Sequence, residues 1–376
     1  MRIVLTGNTS FKIANFRAGL ISALHEDGHE LIVVSPPDDY TEILQQMGCT
    51  TIALRMDRNG TNPLSEAMLM TAIYRQLAQL RPDYVFGYTI KNNIYAGMAC
   101  RRLGIPFAPN VTGLGPAFNR RGLLNKVVRR LYLSAFRDAQ MVFFQNKEDR
   151  QTFLEVGLVA PEFTRLLPGS GVDLERFKEM PLPSSPPVRF LLIARMLRDK
   201  GVCQFADAAA QVRAEHPEAE FQLLGPLDHA AKSRIEMAEI DAWQSAGVLS
   251  YLGATTDVRP YIERADCVVL PSYYREGTPR SLLEAAAMGR PLITTNMPGC
   301  QDTLLDGVSG YLVRPQDSED LAGAFKRFLA LSPGDRQGMG KAGRALMEAQ
   351  FSECIVIEAY RELLRDSCAG SSRTTA

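Results

Sequence analysis

Short apolar segments alternate with helical segments along almost the whole chain of 376 residues. We predict strands at 2–5, 31–35, 51–54, 84–86, 107–111 and 141–144 in the first half, and at 188–193, 220–224, 249–251, 267–270 and 291–294 in the second. Helical patterns lie between them, for example at 16–26 and 321–331. Because such alternation builds parallel sheets with helices on both faces, the sequence predicts a doubly wound α/β fold.

The chain is longer than one typical domain, and two α/β domains are expected. The Gly-rich stretch at 168–174 and the Pro-rich stretch at 181–187 interrupt the alternation. We therefore predict a first domain at 1–168, a second domain at 169–350, a final helix at 351–366 and a disordered tail at 367–376. In open α/β sheets, ligands bind where the carboxyl ends of the strands meet.

The composition is that of an ordinary globular protein, with 46% apolar and 22% charged residues. No apolar run approaches the roughly 20 residues of a membrane span, and the apolar run at 3–5 is too short for a secretory signal. The seven cysteines are scattered without a CxxC pair, which favours reduced thiols, no zinc site and a cytoplasmic location. The four histidines lie in turns, and no Ser-His-Asp, Cys-His or DxD arrangement is found, so we expect no metal site.

The segment from Glu276 to Glu284 follows the apolar run at 267–271 and indicates a strand, a loop and a helix start. Thr278 is predicted to cap this helix, with Pro279 in its first position. The amides of a helix start bind anions, whereas the two carboxylates accept hydrogen bonds from hydroxyls. A ligand with a central diphosphate and hydroxylated rings at both ends suits this layout, and nucleotide-sugars have that form.

A second strand–loop–helix places Arg195 and Lys200 on the loop at 194–201. Arginine binds phosphate through two hydrogen bonds and lysine as a point charge, so with Glu276 this loop predicts a diphosphate site. The first strand ends at Gly7, which is either a simple tight turn or a ligand loop. It lacks the GxGxxG fingerprint of dinucleotide oxidoreductases.

Basic residues are concentrated in the first half. Residues 1–168 carry 19 Lys/Arg and 14 Asp/Glu, and no acidic residue lies between Asp83 and Asp138. Within that window the apolar residues at 123, 124, 127, 128, 131 and 135 follow helical spacing beside Lys126, Arg129 and Arg130. A basic amphipathic helix without acids favours contact with an anionic membrane surface over a merely solvated face. Nucleic acid is disfavoured, because aromatic side chains are not interleaved with the charges.

These motifs carry a family resemblance. The pair Glu276 and Glu284, the loop at 194–201 and the segment Glu-Ala-Ala-Ala-Met-Gly-Arg-Pro at 284–291 resemble family-4 retaining glycosyltransferases of the GT-B fold, over about residues 1–364. The segments at 88–97 and 110–115 look like the branch that builds O-antigen, capsule or glycoprotein glycans on undecaprenyl diphosphate. The chain is similar to bacterial N-acetylgalactosaminyl transferases that add a second sugar to a lipid-linked first sugar.

The resemblance implies two Rossmann-like domains facing across a cleft, with the last helix crossing back to the first domain. It implies metal-independent transfer, with retention, from a UDP-sugar to a polyprenyl-diphosphate-linked acceptor, at the inner face of the bacterial plasma membrane. Arg195 and Lys200 would hold the diphosphate and stabilise the leaving UDP, Glu276 would bind the donor sugar, and Glu284 would bind the ribose. The rest of the expected donor set is Gly7, Gly277, Thr278, Pro279, Ser281 and Leu282.

Many family members carry a histidine after the strand equivalent to 107–111, and this chain has Asn-Val-Thr-Gly-Leu-Gly there. Thr112 and Gly113 are expected to supply backbone contacts instead, and Lys91 to meet the acceptor phosphate. The membrane and acceptor set also includes Arg120, Arg121, Lys126, Arg129 and Arg130. Three alternatives remain open at this point: a transferase of the same fold with a soluble acceptor, a nucleotide-sugar epimerase, and a non-catalytic nucleotide-sugar-binding protein.

Overall fold

The computed structural model describes residues 1–57, 60, 62–113, 123–229 and 231–371. They form two compact units. The first consists of Met1–Ser170 together with the segment from Glu353 onward, and the second is Gly171–Ser352. Each unit is built on one parallel sheet, so the α/β fold with two doubly wound domains predicted from the alternation is confirmed.

The sheet of the first unit has seven strands in the order β3-β2-β1-β4-β5-β6-β7. Its strands are β1 (Arg2–Thr6), β2 (Glu30–Ser35), β3 (Thr50–Ala53), β4 (Tyr84–Tyr88), β5 (Phe107–Val111), β6 (Val142–Phe144) and β7 (Thr164–Leu166). Successive side chains of a strand point to opposite faces, so Val4 enters one buried cluster whereas Ile3 and Leu5 enter the other. Both faces of the sheet are therefore covered.

Helices of the first unit supply these covers. They are α1 (Ser10–Phe16), α2 (Ala18–Glu26), α3 (Thr41–Gln46), α4 (Pro63–Leu80), α5 (Ile90–Leu103), α6 (Leu123–Phe136), α7 (Lys147–Glu155) and, from the end of the chain, α14 (Glu353–Ser371). The ring of Tyr360 on α14 is fully buried and stacks 4.8 Å from that of Phe143 on β6. The last helix thus belongs to the core of the first unit.

The sheet of the second unit has six strands in the order β10-β9-β8-β11-β12-β13. They are β8 (Arg189–Ile193), β9 (Glu220–Leu224), β10 (Ser250–Tyr251), β11 (Cys267–Leu270), β12 (Leu292–Thr295) and β13 (Gly310–Val313). Its helices are α8 (Val202–Glu215), α9 (Met237–Ser245), α10 (Arg259–Arg264), α11 (Arg280–Ala287), α12 (Ser318–Leu329) and α13 (Pro333–Leu346). Two buried clusters again lie on the two sheet faces.

The end of the chain differs from the sequence prediction. Helix α14 continues to Ser371, whereas the predicted helix ended at 366 and a disordered tail began at 367. Ser367 lies within this helix, and its hydroxyl donates a hydrogen bond of 2.9 Å to the carbonyl of Leu363, four residues earlier. The remaining residues of the predicted tail, 372–376, lie outside the described residues.

Candidate active site

The loops after β8 and β11 meet at the carboxyl edge of the second sheet, because these two strands are direct neighbours. The loop after β8 ends in one turn of 3₁₀ helix, Arg198–Lys200, and is closed by Gly201 in the left-handed region with φ of 78°. A Cβ atom at Gly201 would lie 2.1 Å from the carbonyl oxygen of Pro271. Glycine at 201 therefore allows the two loops to touch.

This contact brings together Lys200 and Glu276. The ammonium of Lys200 donates a hydrogen bond to Oε1 of Glu276, and the two side chains are only 15% and 13% exposed. The hydroxyl of Ser272 lies 2.9 Å from the same carboxylate oxygen, and the ring of Tyr274 lies 5.6 Å from the Lys200 ammonium. The pair keeps a cation and a hydroxyl-binding carboxylate in fixed positions at this edge.

Arg195 lies at the same edge with a more exposed side chain. Its guanidinium donates a hydrogen bond of 2.7 Å to Asp228, which follows β9, the neighbour of β8 on the other side. The Arg195 side chain remains 55% exposed in this pair. A planar guanidinium in such a position can bind an anion through two parallel hydrogen bonds. The sequence analysis missed Asp228, although it follows a strand end marked by Gly225.

The helix after Glu276 begins later than predicted. Helix α11 starts at Arg280, and its N-cap is Pro279 with extended backbone (φ −65°, ψ 116°) and no side-chain cap. The predicted cap at Thr278 is therefore wrong, because the chain stays extended through Pro279. Gly299 packs closely against this loop, since a Cβ atom at position 299 would lie 2.0 Å from the carbonyl oxygen of Gly277. The start of α11 carries the positive end of a helix dipole.

Glu284 lies on α11 beside Arg280. The two side chains form an ion pair of 2.7 Å, and both are largely buried. Burial raises the pKa of the Glu284 carboxyl above its ordinary value, and the Arg280 guanidinium opposes that shift. A carboxylate so placed can accept hydrogen bonds from hydroxyl groups.

Two other residues that were predicted to bind the sugar donor lie in the first turn of α11. Leu282 is fully buried among the apolar residues of the core, and its amide donates to the carbonyl of Pro279. The Leu282 side chain therefore packs in the core, because the apolar face of α11 turns it inward, and a contact of this residue with the sugar donor stays a prediction. Ser281 is half-buried on the same turn.

At the carboxyl edge of the first sheet, β1 leads into Gly7. The Gly7 amide donates to the carbonyl of Val34 at 3.3 Å, and Thr9 then caps α1 by accepting from the amide of Lys12. Gly7 thus forms a turn at a ligand-binding edge, and its contact with a donor stays a prediction. Thr112 follows β5 at the same edge and is half-buried.

Lys91 has its partners within the first unit, and its contact with an acceptor phosphate stays a prediction. Its ammonium donates to the carbonyls of Asp57 and Gly60 at 2.8 and 2.7 Å, and pairs with Glu66 at 2.5 Å. A lysine ammonium has three donors, so these three partners saturate it. Lys91 therefore anchors the loop before α4.

Helix α6 carries the predicted basic residues, but its apolar residues do not form one stripe. Val128 and Leu131 pack against the core, together with the buried Tyr132. Val127 and Leu133 are each 45% exposed. What we call the α6 surface consists of the exposed residues Lys126, Val127, Arg130 and Leu133 of α6 together with Arg137, which directly follows the helix. Arg129 is half-buried beside this surface, whereas Arg120 and Arg121 lie outside the described residues.

Neither a metal-binding cluster nor a membrane-spanning helix is found among the described residues. Across the described ranges, no group of three or more His, Cys, Asp or Glu side chains could hold a metal ion. Among the same residues, no helix has the length and apolarity needed to cross a membrane.

The sequence matches two family models, and they identify the class of protein. Residues 2–146 match the model described as "Glycosyl transferase 4-like", and residues 187–330 match "Glycosyl transferases group 1". The two matches together cover most of the chain and coincide with its two sheets. The chain belongs to the group 1, family-4 glycosyltransferases of the GT-B fold.

Curated relatives and solved structures agree with this assignment. The N,N'-diacetylbacillosaminyl-diphospho-undecaprenol α-1,3-N-acetylgalactosaminyltransferase of Campylobacter jejuni is 26% identical, over 96% of this chain and 98% of that protein. An Escherichia coli UDP-Gal:α-D-GlcNAc-diphosphoundecaprenol α-1,3-galactosyltransferase is 24% identical over 69% of each. The crystal structure of Anabaena HepE in complex with UDP superposes with a TM-score of 0.80 at 17% identity, covering 97% of this chain and 100% of that one.

Proposed function

We propose that this glycosyltransferase moves a sugar from a UDP-sugar to an undecaprenyl-diphosphate-linked sugar, with retention of configuration and without a metal ion. The transferred sugar is an N-acetylhexosamine such as N-acetylgalactosamine. The reaction belongs to the assembly of a bacterial surface polysaccharide, such as O-antigen, or of a protein-linked glycan.

The observation that carries this proposal is the pairing of Lys200 with Glu276 beside the uncapped start of α11. Lys200, the helix start and the exposed guanidinium of Arg195 supply positive charge where the diphosphate of a leaving UDP would gather negative charge. Glu276 accepts hydrogen bonds from sugar hydroxyls, and Glu284 from the ribose. Because two cationic side chains and the start of a helix stabilise the leaving group, the proposed reaction needs no divalent ion.

The choice of donor and acceptor rests on the relatives. The C. jejuni protein, similar over nearly its full length, is named as an N-acetylgalactosaminyltransferase acting on an undecaprenol-linked sugar, and the E. coli relative as acting on another undecaprenol-linked sugar. The UDP complex of HepE supports a uridine diphosphate as the nucleotide part. Retention of configuration is carried over from the family resemblance.

The α6 surface supports a place at the membrane. It combines Lys126, Arg130 and Arg137 with the exposed apolar side chains of Val127 and Leu133. Basic side chains attract anionic lipid headgroups, and apolar ones insert between them. We propose that this surface holds the enzyme peripherally on the cytoplasmic face of the plasma membrane, where a lipid-linked acceptor is found.

The test is UDP release by the purified protein with a panel of UDP-sugars, with and without an undecaprenyl-diphosphate sugar in liposomes. Release that requires one UDP-sugar and the lipid acceptor supports the proposal and identifies the donor. Release without any dependence on lipid indicates a soluble acceptor. Activity that persists in EDTA supports metal independence, and transfer that survives replacement of both Arg195 and Lys200 contradicts the proposed site.

A further inference from the structure

A chain of buried polar side chains links the carboxyl ends of the strands in the first sheet. The amide of Asn92 donates a hydrogen bond of 2.8 Å to the hydroxyl of Thr6 at the end of β1, and this hydroxyl donates to the carbonyl of Val34 on β2 at 3.0 Å. Asn92 in turn accepts a hydrogen bond of 3.0 Å from the hydroxyl of Thr89, which follows β4. Three neighbouring strand ends are therefore tied together.

A second branch extends this chain across the other half of the sheet. The amide of Asn93 donates to the carbonyl of Asn110 on β5 at 2.8 Å. The side chain of Asn110 accepts from Gln145, after β6, at 3.3 Å and donates to the hydroxyl of Tyr360 at 3.2 Å. Asn92, Asn93 and Asn110 are each at most 1% exposed. The loops that leave this edge after β1, β4, β5 and β6 thus start from residues in one network.

Thr89 is strained within this network. Its backbone has φ of 72° and ψ of 154°, a combination that is essentially reserved for glycine and is especially unfavourable for a β-branched residue. Thr89 is half-buried, so it is the point at which the otherwise buried branch through Asn92 reaches the surface. Strained residues of this kind persist where the surrounding structure holds them, and they concentrate at functional sites.

The network also leaves a polar atom unsatisfied. The side-chain oxygen of Asn93 is buried and accepts no hydrogen bond from the described residues. It lies so close to β4 that a Cβ atom at Gly87 would be 2.6 Å away from it. A buried orphan acceptor and a strained threonine both lower stability, and an apolar edge would avoid both. Because both features lower the stability of the fold, we look for their role in the function of the protein.

We infer that the turn at Thr89 positions the acceptor for glycosyl transfer, and that Asn92 and Thr6 act through it as positioning residues. The inference rests on the proposed function, a transfer to a lipid-linked acceptor, and adds to it that the acceptor contacts the first unit. Ligands of doubly wound sheets bind at the carboxyl ends of the strands, the edge that this network stiffens. A stiff edge holds the attacking hydroxyl in place, and small misplacements of that hydroxyl slow transfer strongly.

The experiment compares Thr89→Gly, Thr89→Ser and Asn92→Ala by UDP release, with undecaprenyl-diphosphate sugar in liposomes as the acceptor and the donor found for the wild type. Glycine accepts the backbone conformation but removes the hydroxyl and relaxes the turn. We expect the acceptor KM to rise, or kcat to fall, by about 10- to 100-fold in Thr89→Gly and in Asn92→Ala, with the donor KM unchanged. Thr89→Ser keeps the hydroxyl and stays within about threefold of wild type. We expect the double variant Thr89→Gly, Asn92→Ala to be as active in transfer as the less active of the two single variants, because the two residues act as one unit.

Arg81→Gly is the matched control. Arg81 also has a positive φ, 45°, but it ends α4 on the opposite edge of the same sheet, and we expect both KM values to stay unchanged. An acceptor KM and kcat within about threefold of wild type in Thr89→Gly overturn the inference, as does a donor KM that rises as much as the acceptor KM. A wild-type protein that releases no UDP with any donor overturns the proposed function instead, and the inference falls with it.

Discussion

Lys200 and Glu276 reach each other from the ends of two neighbouring strands, β8 and β11, and form an ion pair that is largely shielded from water. The two residues are 76 positions apart in the chain, and the contact of Gly201 with Pro271 brings their loops together. The pair would give the proposed donor site a cation and a carboxylate that hold each other in position.

Replacing Lys200 by alanine is expected to reduce transfer by about 10²- to 10³-fold, because a charge that stabilises the leaving group is lost. The variant should also lose about 3 kcal/mol of folding free energy, since the Glu276 carboxylate is left buried without its cation. Steady-state kinetics and urea unfolding measure the two effects. Lys326→Ala is the control, because its ion pair with Glu215 is exposed and such pairs contribute little. A Lys200→Ala enzyme with nearly full kcat would remove Lys200 from the mechanism.

Gly201→Ala is expected to destabilise the second unit by more than Gly247→Ala. Both glycines have φ near 70–80°, but a Cβ atom at Gly201 meets the carbonyl of Pro271, whereas one at Gly247 meets no atom within 4 Å. The left-handed conformation alone costs about 1 kcal/mol in Gly247→Ala. The additional clash should bring the loss in Gly201→Ala to about 3 kcal/mol or more, and weaken donor binding, because the loop that carries Lys200 must move. Thermal unfolding of both variants measures the difference, and equal losses would show that the loops need not touch.

Donor affinity is expected to fall at mildly acidic pH through Glu284. Burial raises its pKa above the ordinary value of 4.5, so the ionised form is lost at a higher pH than in an ordinary glutamate as the pH falls. A protonated Glu284 accepts fewer hydrogen bonds from the ribose. Titration calorimetry with the UDP-sugar between pH 7 and 4.5 measures this loss, because the diphosphate of a UDP-sugar takes up no proton in that range. Glu284→Gln should bind about tenfold more weakly at pH 7 and show a flatter pH profile; an equally steep profile in this variant would assign the titration to another group.

Charge reversal on the α6 surface is expected to release the protein from anionic liposomes. Each basic residue near such a surface contributes about 1 kcal/mol, so Lys126→Glu with Arg130→Glu should weaken binding by at least about 30-fold. Co-sedimentation with vesicles of anionic and of neutral lipid measures the change. Arg75→Glu with Lys341→Glu changes the net charge equally at exposed positions on other helices and should leave binding unchanged. Equal losses in the two double variants would mean that net charge matters and the α6 surface does not.

The fold follows from local patterns, and the sequence therefore predicts most of it. All eleven predicted strands are present, and most of them are apolar runs that are buried between two helical layers. The two missed strands, β7 and β13, have three and four residues, and five of these seven residues are only partly buried. Their apolar signal is too weak to stand out from the loops around them.

The candidate site is predicted less completely, because side-chain partners come from distant parts of the chain. Arg195, Lys200 and Glu276 were found from strand ends and charge, and they lie at one edge of one sheet. The partners of Lys91 could not be predicted, since Asp57 and Glu66 lie 34 and 25 residues away and no local pattern reveals them. The strain at Thr89 is likewise invisible in the sequence, because threonine is ordinary after a strand.

The place of α14 in the first unit has a consequence for biosynthesis. Phe86 and Phe143 are buried against Tyr360, which is translated about 190 residues after the rest of that unit. At a rate of about 5–20 residues per second, the ribosome needs on the order of 10–40 s to make the intervening chain. During that interval the nascent first unit displays an aromatic face that its own last helix will later cover. A chain terminated before α14 would keep this aromatic face exposed, and we expect such a fragment to be bound by chaperones and degraded by proteases.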